Sequence, residues 1–254
     1  MKIKFLESSL LIFLLTFVVT SQLISCHNGS VLTIKIISDT IIVKNIKIKK
    51  NIAFPSIITG KEDIDQKINT DLVNRHTDDE YPNMSADKVL TKWANEGIES
   101  VSYTVTYNHN DLISFFINTE ACGAYCTSWT KYYTYSLETG EYLSIDRIIR
   151  LSEEFKNRIK QDRDQRYDIE ITELEKLYKE HPEDLDSSTY SEIVEYYKGC
   201  KSDFEINDFL LYPEHLSVME KCDLPHALNS FGLSFSLNYD YKEIKEGLLQ
   251  KMKK

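Results

Sequence analysis

Apolar and polar positions alternate in some stretches of the chain and follow helical spacing in others. Residues 31–50 are rich in β-branched side chains and alternate in part, which predicts one or two strands. The segment 54–60 ends this region with a proline and a glycine. Apolar residues at 64, 68 and 72 predict a helix over 62–76, and 86–97 is typical of a short helix ending at Gly97.

The strongest strand pattern lies in the middle of the chain. Val101, Tyr103, Val105 and Tyr107 fall on one parity, and residues 108–111 have turn composition. Residues 112–118 and 128–136 continue as strands, with a second turn at 138–141. The pattern predicts a meander of three or four antiparallel strands.

The rest of the chain alternates between charge-rich helix and strand. One helix begins near Ser152 and is broken by Pro182, and a second is expected to stop at Gly199. Strands are predicted at 204–210, 214–220 and 232–241, then a helix to the C-terminus. The predicted class is α+β, with an antiparallel meander and segregated helices, as one large domain or two small lobes. The expected divisions are a signal peptide at 1–25, a tether with first strands at 26–50, an N-terminal lobe at 51–149, and helices with C-terminal strands at 150–254.

The N-terminus has the pattern of an export signal. Two lysines precede an apolar run at 10–19, which is short for a bilayer span and typical of a signal peptide. The following Leu23, Ile24, Ser25 and Cys26 resemble a bacterial lipobox, which predicts lipidation at Cys26 and cleavage before it. A cleaved signal without lipidation, or a lone membrane anchor, is the alternative. Each version predicts an extracytoplasmic, cell-envelope location, where disulfides persist.

The charge of the predicted mature chain is strongly negative. Without residues 1–25 it has 28 basic and 39 acidic side chains, and 28 − 39 gives a net charge of −11. This balance argues against nucleic-acid binding, which depends on Lys and Arg. It favours encounter with a cationic partner, although solubility alone also accounts for it.

Four cysteines besides Cys26 predict two disulfides. If 204–210 and 214–220 form a hairpin turning at 211–212, cross-strand partners sum to about 422–423, which pairs Cys200 with Cys222. Cys122 then pairs with Cys126 and closes a small loop, in which Gly123 is expected to supply backbone freedom. A zinc site or a redox couple is the alternative, but the spacing fits each less well.

No catalytic, nucleotide-binding or phosphate-binding motif is recognisable, so we assign no catalytic residue, cofactor or metal. Aromatic residues are the positive signal. Trp129 and Tyr133 share one strand parity, Tyr132 has the other, and Tyr125 lies just upstream. Tyr and Trp suit both protein interfaces and sugar stacking. We predict that these four residues contact a ligand. The alternative is that one face of this strand is simply core.

Three segments resemble a known family. They are FPSIITGKEDIDQKIN (54–69), the central SYTVTYNHNDLISFFINTEACGAYCTSWTKYYTYSLETGEYLSIDRII (102–149), and more loosely HLSVMEKCDLPHALNSFGLSFSLNYDYKEIKEGL (215–248). The family is the extracytoplasmic domain of unknown function shared by lysozyme-sensing anti-sigma factors and membrane-anchored peptidoglycan deacetylases (domains of unknown function 4163 and 3298). The resemblance covers about residues 50–252. It implies a domain that senses or binds a cell-wall-related macromolecule.

This chain departs from the family pattern at the cysteine loop. Where the family has Gly-Gly-Ala-His, the chain has Cys122, Gly123, Ala124 and Tyr125, followed by Cys126. No anti-sigma segment precedes the anchor and no deacetylase domain follows, so we expect the binding part alone. The resulting hypothesis is a non-catalytic lipoprotein that binds lysozyme or a similar cationic wall hydrolase. A peptidoglycan- or glycan-binding module is the second hypothesis, and a wall-polymer hydrolase with paired carboxylates is the third.

Overall fold

The computed structural model describes residues 36–38, 41–47, 51–82 and 84–249. The predicted signal peptide and Cys26 lie outside the described residues. The strands are β1 (Ile36–Ser38), β2 (Ile41–Lys47), β3 (Ala53–Ile58), β4 (Ile98–His109), β5 (Leu112–Cys122), β6 (Cys126–Ser136), β7 (Phe209–Leu211), β8 (His215–Cys222) and β9 (Leu233–Asp240). The helices are α1 (Glu62–His76), α2 (Ala86–Asn95), α3 (Ile145–Ile148), α4 (Glu153–Glu180), α5 (Ser187–Ser202) and α6 (Tyr241–Ile244), with a 3₁₀ helix at His226–Phe231.

The described strands form three antiparallel sheets of three strands each, in the orders β1-β2-β3, β4-β5-β6 and β7-β8-β9. We refer to them as the first, middle and last sheets. The two longest helices, α4 and α5, follow the middle sheet in the chain and pack against each other and the last sheet. This arrangement confirms the predicted α+β class with a meander and segregated helices.

The segment at 54–60 continues the first sheet, whereas the sequence pattern predicted that it would end the strand region. Pro55 lies within β3, opposite Asn45. The backbone N–H of Ile57, two residues later, points away from β2 and donates to the Asn69 side chain (2.8 Å). Because backbone groups alternate along a strand, the missing N–H of Pro55 falls on that same side and removes no bond to β2.

A two-residue turn joins β4 to β5. Asn110 and Asp111 both have positive φ (52° and 59°), and His109 pairs with Leu112 across the turn. Two consecutive left-handed residues match the twist of a hairpin, and Asn and Asp tolerate this conformation. One face of the middle sheet packs on α1 and α2 and carries the buried Ile113, Phe115 and Ile117. We call this the inner face and the opposite one the outer face.

Capping and charge pairs account for the long helices. The Ser152 hydroxyl accepts the Phe155 N–H at the start of α4 (3.2 Å), and Asp186 accepts the N–H groups of Ser188 and Thr189 at the start of α5. These bonds lower the pKa of Asp186. The helix α5 passes through Gly199, where the sequence predicted a stop. Tertiary contacts at its C-terminal end, described below, outweigh the helix-breaking tendency of one glycine.

The last sheet contacts the outer face of the middle sheet through β7. The Leu211 N–H donates to the buried Ser114 hydroxyl (3.0 Å), which also accepts from Thr134 (3.0 Å). In the β7–β8 pair Phe209 lies opposite Val218, so the register differs from the predicted one. The predicted C-terminal helix is shortened to the single turn of α6, and residues 250–254 lie outside the described residues. None of the helices in the described ranges is both long enough and apolar enough to span a bilayer.

Candidate functional site

The β5–β6 hairpin ends in a disulfide-closed loop, which we call the hairpin tip (Cys122–Cys126). Cys122 and Cys126 are cross-strand partners with Cα atoms 4.0 Å apart, and their sulfurs are bonded. Inside the tip, the Gly123 N–H donates to the Tyr125 carbonyl (3.0 Å). The predicted clasp is confirmed. The expected role of Gly123 is wrong, because its φ is outside the left-handed region and a Cβ there would meet no atom within 4 Å.

The glycine that this tip requires is Gly97. Its φ is +98°, and a Cβ at this position would lie 2.9 Å from the Cys122 carbonyl oxygen. The Gly97 carbonyl also accepts the Cys122 N–H (2.8 Å). The end of α2 therefore supports the base of the tip by a close backbone approach that only glycine allows.

The second disulfide is also as predicted, although the geometry behind it is different. Cys200 lies on α5 and Cys222 at the end of β8, with Cα atoms 5.8 Å apart. The bond therefore links a helix to a strand instead of closing the open end of a hairpin. With both pairs bonded, these four cysteines present no thiolate to a metal in this structure.

Tyr125 is the most exposed of the large side chains at the hairpin tip, with 67% of its surface accessible. Its ring lies 4.3 Å from the ring of His226, centroid to centroid, at the start of the 3₁₀ helix. Glu120 is exposed nearby and accepts the Ser100 hydroxyl (3.1 Å), and one carboxylate oxygen lies within 4.8 Å of both tip sulfurs. The tip thus combines a wide aromatic surface with a negative charge.

Lysine and arginine are absent from the sequence on both sides of the tip. The sequence contains no lysine or arginine between Lys92 and Lys131, whereas Glu96, Glu99 and Glu120 fall in that interval. The Lys131 ammonium is bound internally, to the Asp78 carboxylate (2.6 Å) and to two carbonyls at the end of α1. Residues 117–130 of the hairpin therefore contain one carboxylate, Glu120, and no lysine or arginine.

The four predicted contact residues do not share a surface. Trp129 and Tyr133 lie on the inner face of β6, as their pairing with Thr119 and Phe115 shows, and Tyr132 lies on the outer face. Tyr133 is 3% exposed and belongs to the core. The prediction of a ligand contact at Tyr133 is therefore corrected. The alternative that one parity of this strand is core holds for this residue, while Trp129 and Tyr132 are half-buried.

A buried histidine packs against the inner face of the middle sheet. His76, at the end of α1, is 2% exposed and lies between the Tyr133 hydroxyl (2.8 Å from Nδ1) and the Thr119 hydroxyl (3.0 Å from Nε2). Burial lowers the pKa of His76 to about 3, with Lys131 lowering it further and Asp78 opposing. The sequence carried a signal for this position, because 76 continues the helical spacing of 68 and 72.

A buried arginine joins α4, α5 and the last sheet. Arg163 donates to the carbonyls of Cys200, Lys201 (2.8 Å) and Asp203 (2.8 Å), which end α5. Its guanidinium also pairs with Glu220 on β8 (2.8 Å). A cation at a helix C-terminus stabilises the last carbonyls. This contact and the adjacent disulfide hold the end of α5 beyond its internal glycine, and no sequence motif indicated it.

Comparison with known proteins yields structural neighbours only. No family model matches the chain, and no curated protein matches it. Solved structures that resemble it include a member of the domain of unknown function 3298 family from Bacteroides fragilis, at 10% identity and a TM-score of 0.47, covering 82% of this chain and 92% of that chain. A protein of the same family from Pseudomonas aeruginosa aligns at 10% identity and a TM-score of 0.46, covering 86% and 94%. Both neighbours carry the family name that the sequence motifs indicated.

Proposed function

We propose that this protein is a non-catalytic lipoprotein of the cell envelope that binds lysozyme or a similar cationic wall hydrolase. The proposal takes the partner class from the sequence resemblance and the anchor from the lipobox at Cys26. The observation that carries it is the hairpin tip, where an exposed tyrosine is held in a disulfide-closed loop within a stretch of sequence, 93–130, that contains no lysine or arginine.

The structure of the tip favours binding for two physical reasons. An aromatic side chain in a closed loop loses little conformational entropy when a partner covers it, and tyrosine is among the residues that dominate interface energies. The net charge of −11 for residues 26–254 and the carboxylates around the tip attract a cationic protein and accelerate encounter.

The test is binding of lysozyme to immobilised residues 27–254 at low and high salt. We expect capture that weakens strongly with added salt, because exposed charges separated by more than about 10 Å are screened at 0.1 M. Tyr125→Ala should weaken capture about tenfold or more, as loss of a central aromatic does. Tyr196→Ala is the matched control, because Tyr196 is also exposed (36%) but lies on α5. The absence of capture at both salt concentrations, or equal loss in both variants, contradicts the proposal.

A glycan-binding module is the second candidate, and the Tyr125–His226 ring pair favours it, since paired aromatic rings suit stacking on sugars. Purified peptidoglycan offered in parallel separates the two. Capture of peptidoglycan that persists at high salt, without capture of lysozyme, replaces the first candidate by the second. The hydrolase hypothesis has no assigned residues, and release of soluble fragments from peptidoglycan is the result that would support it.

A further inference from the structure

The aromatic side chains at the surface of the hairpin lie on different faces of the sheet, but all lie on or next to the edge strand β6. Trp129 lies on the inner face of β6 and Tyr132 on the outer face, while Tyr125 lies just beyond the end of the strand. A partner resting flat on the sheet would reach one face only. A partner that docks against the side of β6 would contact both faces and the tip together.

The part of this edge nearest the tip, residues 126–131, lacks a pairing strand among the described residues. Residues 134–136 of the edge are covered, because the Ser136 N–H donates to the Glu141 carbonyl (2.9 Å) and the Leu143 N–H donates to the Thr134 carbonyl (2.8 Å). Backbone groups of alternate residues point the same way, so the N–H and C=O groups of Ser128 and Thr130 also point outward. No backbone–backbone hydrogen bond reaches these four groups within the described ranges.

The edge is regular and fixed in place. The β5–β6 register runs without a shift from Leu112 and Ser136 to Cys122 and Cys126, whereas the β4–β5 pair has two irregularities. The disulfide locks this register at the tip. Bulges, prolines and outward-pointing charges commonly protect an edge strand from pairing, and residues 126–131 contain no proline and no bulge. Their one charged residue, Lys131, is bound to Asp78, which follows α1.

We propose that residues 126–131 of β6 form an open edge that pairs with an extended basic segment of a partner protein. The charges select the basic occupant: Glu120 is exposed beside the tip, and residues 26–254 carry a net charge of −11, whereas Asp78 and Lys131 pair with each other (2.6 Å). Main-chain hydrogen bonds to Ser128 and Thr130 supply affinity, and side chains of the added strand reach Trp129 and Tyr132 on alternate faces. This mode deepens the proposed function, on which the identity of the partner rests.

The free protein provides the first measurement. In amide hydrogen exchange by NMR, Ser128 and Thr130 should exchange rapidly, and Trp129, which faces β5, should exchange slowly. Slow exchange at Ser128 and Thr130 would show that the edge is already covered and would overturn the proposal.

The second measurement uses a synthetic peptide, Lys-Val-Lys-Val-Lys-Val, at millimolar concentration. We expect it to protect the Ser128 and Thr130 amides, and we expect the glutamate counterpart, Glu-Val-Glu-Val-Glu-Val, to protect neither. The absence of protection by the basic peptide, or equal protection by the acidic one, contradicts the proposal.

A proline substitution tests the edge in the binding assay. Thr130→Pro removes an outward N–H without breaking the β5 ladder, so the fold should persist while peptide and lysozyme binding fall about tenfold or more. Ser236→Pro is the matched control, because the Tyr241 N–H bond to Glu214 places even-numbered β9 residues outward as well. Lysozyme capture that Thr130→Pro leaves intact overturns the edge proposal and keeps the proposed function. Peptide protection without lysozyme capture keeps the edge proposal and overturns the proposed function.

Discussion

Acidification should destabilise the protein through His76, which is neutral in the folded state. Burial lowers the pKa of His76 from 6.5 to about 3. Between these values the unfolded chain binds a proton at this residue and the folded chain does not, so the free energy of unfolding falls as the pH decreases. The stabilisation is complete above pH 6.5 and is lost progressively towards pH 3. Lys131 disfavours the charged imidazole, and Asp78 favours it, but both are secondary to burial.

The size of this effect follows from the pKa difference. At about 1.4 kcal/mol per pH unit, the His76 contribution is about 2 kcal/mol at pH 5 and about 3 kcal/mol at pH 4. A typical domain has only about 5–15 kcal/mol of net stability, so a change of this size is readily measured.

Urea unfolding of residues 27–254 at several pH values between 4 and 7 provides the measurement. Carboxylates and other histidines also titrate in this range, so we compare the native chain with His76→Gln, which has no titrating group at this position. The difference in free energy of unfolding between the native chain and His76→Gln should decrease by about 2 kcal/mol from pH 7 to pH 5. His181→Gln is the control for loss of a histidine at an exposed position. A difference for His76→Gln that is the same at every pH would refute the neutral, buried state of His76.

Three further changes test other parts of the structure. Arg163→Met should lower the free energy of unfolding by about 3–5 kcal/mol, because it leaves buried partners unpaired. The control Arg166→Met removes an exposed ion pair on the helix and should lower it by less than about 1 kcal/mol. Similar losses for both variants in chemical unfolding would contradict the stabilising role of Arg163. Gly97→Ala should cost about 1–3 kcal/mol in the same assay and Gly123→Ala below about 0.5 kcal/mol, and the reverse order would exclude the backbone approach at the tip. Cys26→Ser should move the full chain from the membrane to the soluble fraction on cell fractionation, and retention at the membrane would disprove lipidation.

Local patterns predicted the elements whose formation depends on neighbouring residues. The bounds of α1 agree with the helical spacing of its apolar residues, and the β4–β5 turn falls where Asn110 and Asp111 accept positive φ. Parity placed Trp129 and Tyr133 on one face of a strand and Tyr132 on the other. Such signals are local because helix and strand periods are properties of the backbone itself.

The predictions that failed depended on distant contacts. A proline was expected to end the first strands, but its missing N–H lies on the side of β3 that faces away from β2, where Ile57 bonds Asn69 of α1. A glycine was expected to end α5, but Arg163 on α4 holds the carbonyls beyond it. For the glycine, tertiary bonds outweigh a local propensity of about 1 kcal/mol, and for the proline, the arrangement of β2 and β3 requires no donor at that position.

The sequence by itself determined the α+β class, the presence of two disulfides and the aromatic character of the β6 region, because composition, parity and cysteine number constrain these properties. Only the tertiary structure decided which aromatic residues reach solvent. Tyr133 is buried because α1 covers the inner face, and Tyr125 is exposed because the disulfide closes the tip beyond the edge of the sheet. Burial depends on which elements pack together, and that information is distributed over residues that are far apart in the chain.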